Sequence, residues 1–154
     1  MNKITAIDVL NSFIIINNDR IKKYKAAAQD IKNYSLKKAF TDFQKTSQQC
    51  KLELSKEIIK LGGTPVEDKG FSNTILTLWS TIKNSLIYKD LTDIIINCER
   101  NEDKVMQKYY DTIYNNLGLL NDNQQIMLSE QYFSINTDHY EIKSLKNSLL
   151  AVTN

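Results

Sequence analysis

A chain of 154 residues with 4 Gly and 1 Pro has few places to turn, so it must be built from few, long elements. That length suits a single domain over residues 1–154, which can bury a core without disulfides or metal. With 20 Lys and Arg against 18 Asp and Glu the net charge is +2, which excludes an electrostatic case for nucleic acid or an acidic membrane, and no apolar run reaches the length of a membrane span.

The first predicted helix opens at Thr5, which with Asp8 reads as a capping box. Its stripe is Leu10, Phe13 or Ile14, Asn17, Ile21, Tyr24, Ala28 and Ile31, in alternating steps of three and four. Asp19, Arg20, Lys22, Lys23 and Lys25 fall on other faces, and the lysines read as a solvated surface. The break is expected at Asn33, Tyr34 and Ser35. Helix two is expected over residues 36–61, with Leu36, Phe40, Phe43, Ser47, Cys50, Leu54, Ile58 and Leu61 on one side. Gly62 and Gly63 supply a left-handed cap, and Pro65 prevents continuation. After a loop over 64–70, residues 71–87 read as a short extra helix in a long crossover, with Trp79 as a core or lid aromatic. Helix three starts near Asp90 and ends around Leu117 and Gly118. Its apolar rhythm is Leu91, Ile95, Cys98, Val105, Tyr109 and Ile113, and Glu102 sits within that rhythm. Helix four begins after Asn121, Asp122 and Asn123. Its stripe is Leu128, Tyr132 or Gln131, Ile135, His139, Ile142, Leu145 and Leu149, and residues 151–154 are expected to fray. Short links make helices one and two, and three and four, antiparallel hairpins, so the fold class is an all-α antiparallel four-helix bundle.

Each stripe carries polar residues near its middle: Asn17, Ser47 with Cys50, Glu102 and His139. A buried ionisable group is costly unless paired. One shared layer is therefore expected, in which Glu102 pairs with His139 while Asn17 and Ser47 satisfy what remains. The sharper reading is a metal site. The tetrapeptide Ile-Ile-Ile-Asn occurs at 14–17 and at 94–97, but that register mismatches the apolar faces. An offset of 85 aligns helix one on helix three and puts Asn17 on Glu102. For helices two and four an offset of 89 puts Phe43 on Tyr132, Ser47 on Asn136 and Cys50 on His139.

These hairpins resemble the ferritin-like superfamily. Its di-iron members keep a Glu seven residues before a Tyr on helices one and three, and Glu-x-x-His on helices two and four. Glu102 with Tyr109 matches the helix-three pattern, Glu99 the extra acid of some members, and His139 the helix-four His. Asn17, Ser47, Cys50 and Asn136 stand where ligands would be, so the resemblance implies a degenerate site with no working iron chemistry. The run from Asn17 to Tyr24, the turn at Leu61-Gly62-Gly63 before Pro65, Trp79, the run from Cys98 to Asp103 and the late His139 are similar to a bacterial family of ferritin-like four-helix bundles of unknown function.

The functional expectation is a non-enzymatic bundle without cofactor, acting by self-association or protein interaction in a role such as stress physiology. The alternative is a mononuclear, zinc-like site using Cys50, Glu102 and His139, since thiolate, carboxylate and imidazole are all zinc ligands. Tyr109, Tyr110, Tyr114, Tyr132 and Tyr140 give helices three and four more aromatic surface than one seam needs, so a homodimer through them is expected. The expected setting is cytoplasmic and reducing: residues 1–10 are too polar for a secretory leader, and Cys50 and Cys98 read as free thiols, with a bridge between them as the alternative.

Overall fold

In the computed structural model, which describes residues 3–29, 31–68 and 91–153, local side-chain chemistry sets the helix ends. The Thr5 backbone N–H donates to Asp8 Oδ2 at 2.9 Å and the Asp8 N–H to Thr5 Oγ1 at 3.3 Å, a reciprocal capping box. Helix α1 then runs over Ala6–Gln29. Asn33 Oδ1 accepts from the Leu36 N–H at 3.0 Å, so α2 spans Tyr34–Lys60 and begins two residues before the expected start. Its end is a glycine cap: Gly62 has φ +84°, and the Gly63 N–H reaches back to the Ile58 carbonyl at 2.9 Å. Helix α3 is Leu91–Asn115, followed by a 3₁₀ turn at Leu117–Leu119. A second reciprocal box, between Asn121 and Gln124 at 2.8 and 2.9 Å, opens α4 over Asp122–Thr153. Helix α4 runs through Thr153, past Ala151 where fraying is expected. The predicted helix at 71–87, with Trp79, and the expected cap at Asp90 lie outside the described residues, as does Asn154.

The described chain is all-α, four helices without strands. Helix α1 packs on α2, α3 on α4, α2 on α4, and α1 touches α3. Every adjacent pair is antiparallel: along α1 the partners Tyr109 and then Glu102 descend α3, while along α4 Gln124 and Gln131 meet Glu57 and then Glu53 of α2. This arrangement is consistent with a four-helix bundle. Helices α2 and α3 therefore run in the same direction, so the end of one and the start of the other lie at opposite ends.

Two apolar clusters fill the interior. One gathers Tyr24, Ile31, Phe40, Phe43, Ile95 and Ile142, and the other Leu10, Phe13, Leu54, Ile58, Leu128 and Ile135. Each such side chain contributes about 1.5–3 kcal/mol by leaving water. The polar centre lies between the clusters.

The offset of 85 between α1 and α3 is realised in reciprocal bonds. Asn17 meets Tyr109 at 2.8 Å, and Tyr24 meets Glu102 at 2.6 Å. The offset of 89 between α2 and α4 is corrected to 88. Buried Leu36, Phe40, Phe43, Ser47, Cys50 and Leu54 align with buried Gln124, Leu128, Gln131, Ile135, Asp138 and Ile142. Neighbouring residues on a helix differ by about 100° in direction, so this one-residue shift changes which side chain faces the core.

Candidate functional site

The heart of the bundle is Arg20, 1% exposed and among the largest of the fully buried side chains in the described residues. It occupies the seam position three after Asn17 and four before Tyr24, where the sequence reading placed Ile21, now half-buried. A guanidinium has five N–H groups. Nε–H is shared between the two Glu102 oxygens at 3.1 and 3.0 Å. Nη1 donates to the Phe43 carbonyl and to Ser47 Oγ, both at 2.9 Å. Nη2 donates to Glu102 Oε1 at 2.5 Å and to Asp138 Oδ2 at 2.9 Å. All four helices thus meet on one cation. Its Cζ also lies 5.3 Å from the Tyr24 ring centroid and 5.8 Å from that of Phe43, a cation–π placement.

Burial works against the charge on Arg20, but the adjoining Glu102 carboxylate outweighs it and holds the guanidinium protonated beyond its ordinary range. Glu102 accepts a further bond from the Tyr24 hydroxyl. Burial, then the Glu102 charge, push that phenol well up. Burial also raises the Asp138 carboxyl, against the lowering pull of Arg20. With every N–H engaged, the guanidinium offers no donor to a ligand and no proton to a reaction.

One turn along lies a second polar rung. Asn17 Nδ2 donates to the Phe13 carbonyl at 2.9 Å and to Tyr109 Oη at 2.8 Å, and the Tyr109 hydroxyl donates to Gln131 Oε1 at 2.8 Å. Gln131 Nε2 continues to the Cys50 carbonyl at 3.3 Å and Glu53 Oε1 at 3.1 Å. Asn17 Oδ1 is buried without a hydrogen-bond partner. On α4 the polar rungs Gln124, Gln131 and Asp138 recur every seven residues, between the apolar rungs Leu128, Ile135 and Ile142.

Glu102 is buried as expected, but its partners are Arg20 and Tyr24 in place of His139. The seam takes Asp138 inward and turns His139 toward the groove between α3 and α4. There Nε2 lies 2.9 Å from Asp103 Oδ1, an ion-pair distance without hydrogen-bond alignment. Cys50 faces the Tyr109 rung, and both thiols are free and buried. Burial pushes each up to about 12. Among the described residues no three His, Cys, Asp or Glu side chains are grouped so that they could hold a metal ion. Arg20, Asp138 and Gln131 as the paired alternative to Tyr132 are the core groups that a reading weighted to apolar stripes displaces. The available signal was the need of Glu102 for a cation. Arg20 is in step with Asn17 and Tyr24.

The groove holding His139 has a volume of about 510 Å³ and is lined by Asp103, Tyr110, Tyr132, Asn136, Tyr140 and Lys143, among others. A smaller apolar hollow of about 230 Å³ continues it past Tyr114, Leu117 and Phe133. No described helix is long and apolar enough to cross a membrane.

The family model described as "Domain of unknown function (DUF2383)" matches residues 5–115, which take in α1, α2 and α3 with Arg20, Ser47 and Glu102. No curated protein matches the chain.

Proposed function

On the premise that the chain belongs to the DUF2383 family, a domain of unknown function, we propose that it is a non-enzymatic, ferritin-like bundle in which an arginine takes the place of the core metal ions. The observation that carries this reading is the complete engagement of the Arg20 guanidinium by Glu102, Asp138, Ser47 and the Phe43 carbonyl. In a di-iron bundle the carboxylates and imidazoles of facing helices neutralise two cations. Here the donor set does not fit them. Glu102 and Asp138 already share a covalently tethered cation, and Asn17, Ser47 and Cys50 fill the remaining places. With α2 and α4 aligned at 88, the place on α4 equivalent to Cys50 belongs to Asp138, which supports a core without a metal-binding imidazole.

The proposed role is carried by the surface: self-association or protein interaction in a cytoplasmic setting, such as stress physiology, without nucleic acid. The net charge of +2 supports the last point. The test is metal analysis after incubation with Fe(II) or Zn(II) and desalting. The expected result is no stoichiometric retention. One metal per chain, lost on Glu102→Ala, would overturn the reading.

A further inference from the structure

We propose that the groove between α3 and α4 is covered by a second copy of this chain, about a two-fold axis parallel to the helices, with Asp103 set against Lys143 of the partner subunit. The inference rests on the self-association reading above and specifies its face and its pairing.

The groove combines polar side chains at its His139 end with large exposed aromatics that run on into the apolar hollow. Tyr110 is 54% exposed, Tyr114 66%, Phe133 65% and Tyr140 63%. The two α3 rings stack on one another, 6.0 Å apart and 8° from parallel. Aromatic side chains carry about 150–250 Å² each, so these four leave roughly 500 Å² open. That is already near the largest apolar patch of a typical monomer, about 300–600 Å². Exposed Leu117, in the same hollow, extends the patch toward the roughly 800 Å² per partner of a standard interface.

Charge placement selects the occupant and its orientation. Asp103 on α3 and Lys143 on α4 line the same end of the groove, beside His139, while the other end is lined by Leu117 and Tyr114. Because α3 and α4 are antiparallel neighbours, an axis along the bundle lays each α3 across the partner's α4 at equal height. The acid of one copy then meets the base of the other, twice, and aromatic surface meets aromatic surface at the far end. An axis across the helices would instead bring each charged end against an apolar end. A face complementary to itself under one rotation fits a closed, isologous dimer.

The test uses the full chain and sedimentation velocity. Wild type is expected to reach twice the 17.8 kDa chain mass as concentration rises. Asp103→Lys and Lys143→Glu each place like charges across both contacts and should weaken the dimer by about tenfold or more. An equimolar mixture of the two variants should recover wild-type association, since each cross-contact is again Lys against an acid. A change confined to one chain cannot produce that rescue, and the rescue also shows that both variants are folded. A wild-type monomer at millimolar concentration would overturn the pairing and self-association together, leaving the groove to another occupant. A wild-type dimer with no rescue on mixing would overturn the pairing alone.

Discussion

Replacing Arg20 by Met removes the cation on which four helices converge but keeps an unbranched side chain in its space. The carboxylate of Glu102, 1% exposed, then has only the Tyr24 hydroxyl, while Ser47 and the Phe43 carbonyl lose their donor. Removing one partner of a buried ion pair costs about 3–5 kcal/mol, against a total stability of about 5–15 kcal/mol for a domain. At a urea m-value of about 2 kcal/mol/M, a loss of about 4 kcal/mol lowers the midpoint by about 2 M. Glu102→Leu should cost a similar amount, because it leaves the guanidinium with Asp138 alone among its carboxylates. The double variant removes both buried charges and should be more stable than either single one, giving a coupling of about 2–3 kcal/mol in a double-mutant cycle. Urea unfolding followed by circular dichroism reads all four corners. Additive losses, or a cost below about 1 kcal/mol for Arg20→Met, would refute the view that this pair is buried and interdependent.

Asp138→Asn should cost about 1.5–3 kcal/mol through its charge-assisted bond to Arg20, and His139→Gln less than about 1 kcal/mol beside exposed Asp103; the reverse order of melting temperatures would put the wrong residue in the seam. Tyr109→Phe strips the hydroxyl that joins Asn17 to Gln131 and should cost about 1–3 kcal/mol in denaturant unfolding, with the secondary structure unchanged. A methyl on Gly62 forces a side chain to φ +84°, worth about 1–2 kcal/mol of strain. A methyl on Gly63 would stand 2.9 Å from the Ile7 side chain and 3.1 Å from that of Ile58, so Gly63→Ala should lose about 1–3 kcal/mol and recover part of it with Ile7→Val, whereas Gly62→Ala should not. Stability should fall at alkaline pH. Cys50 and Cys98 stay protonated in the fold up to about 12 but ionise at about 9.0 when unfolded, so their contribution is complete below 9.0 and lost as pH rises toward 12, by about 1.4 kcal/mol per pH unit for each thiol. Cys98→Ala should flatten that slope in urea midpoints taken between pH 9 and 11; an unchanged slope would count against a buried, neutral Cys98.

The sequence determined the helices. Steps of three and four along α2 name Leu36, Phe40, Phe43, Ser47, Cys50, Leu54 and Ile58, which are buried, and Leu61, which lies past the helix end and is exposed. The capping box at Thr5 and the glycine cap at Gly62 were legible because each depends on chemistry within a turn or two of chain, and the seam position of Glu102 because it falls within the apolar rhythm of its own helix. The tertiary structure decided between adjacent residues. On α1 the apolar pattern allowed Ile21 in the seam, and Arg20 took it; on α4 it allowed His139, and Asp138 took it. Each of those positions is about 100° from its neighbour, and local periodicity cannot resolve such a step when one candidate is charged. Arginine is almost never fully buried without partners, and the partners of Arg20 come from Phe43, Ser47, Glu102 and Asp138 on three other helices. Until those helices meet, a guanidinium in the core is only a cost; once they meet, it is the group that satisfies them.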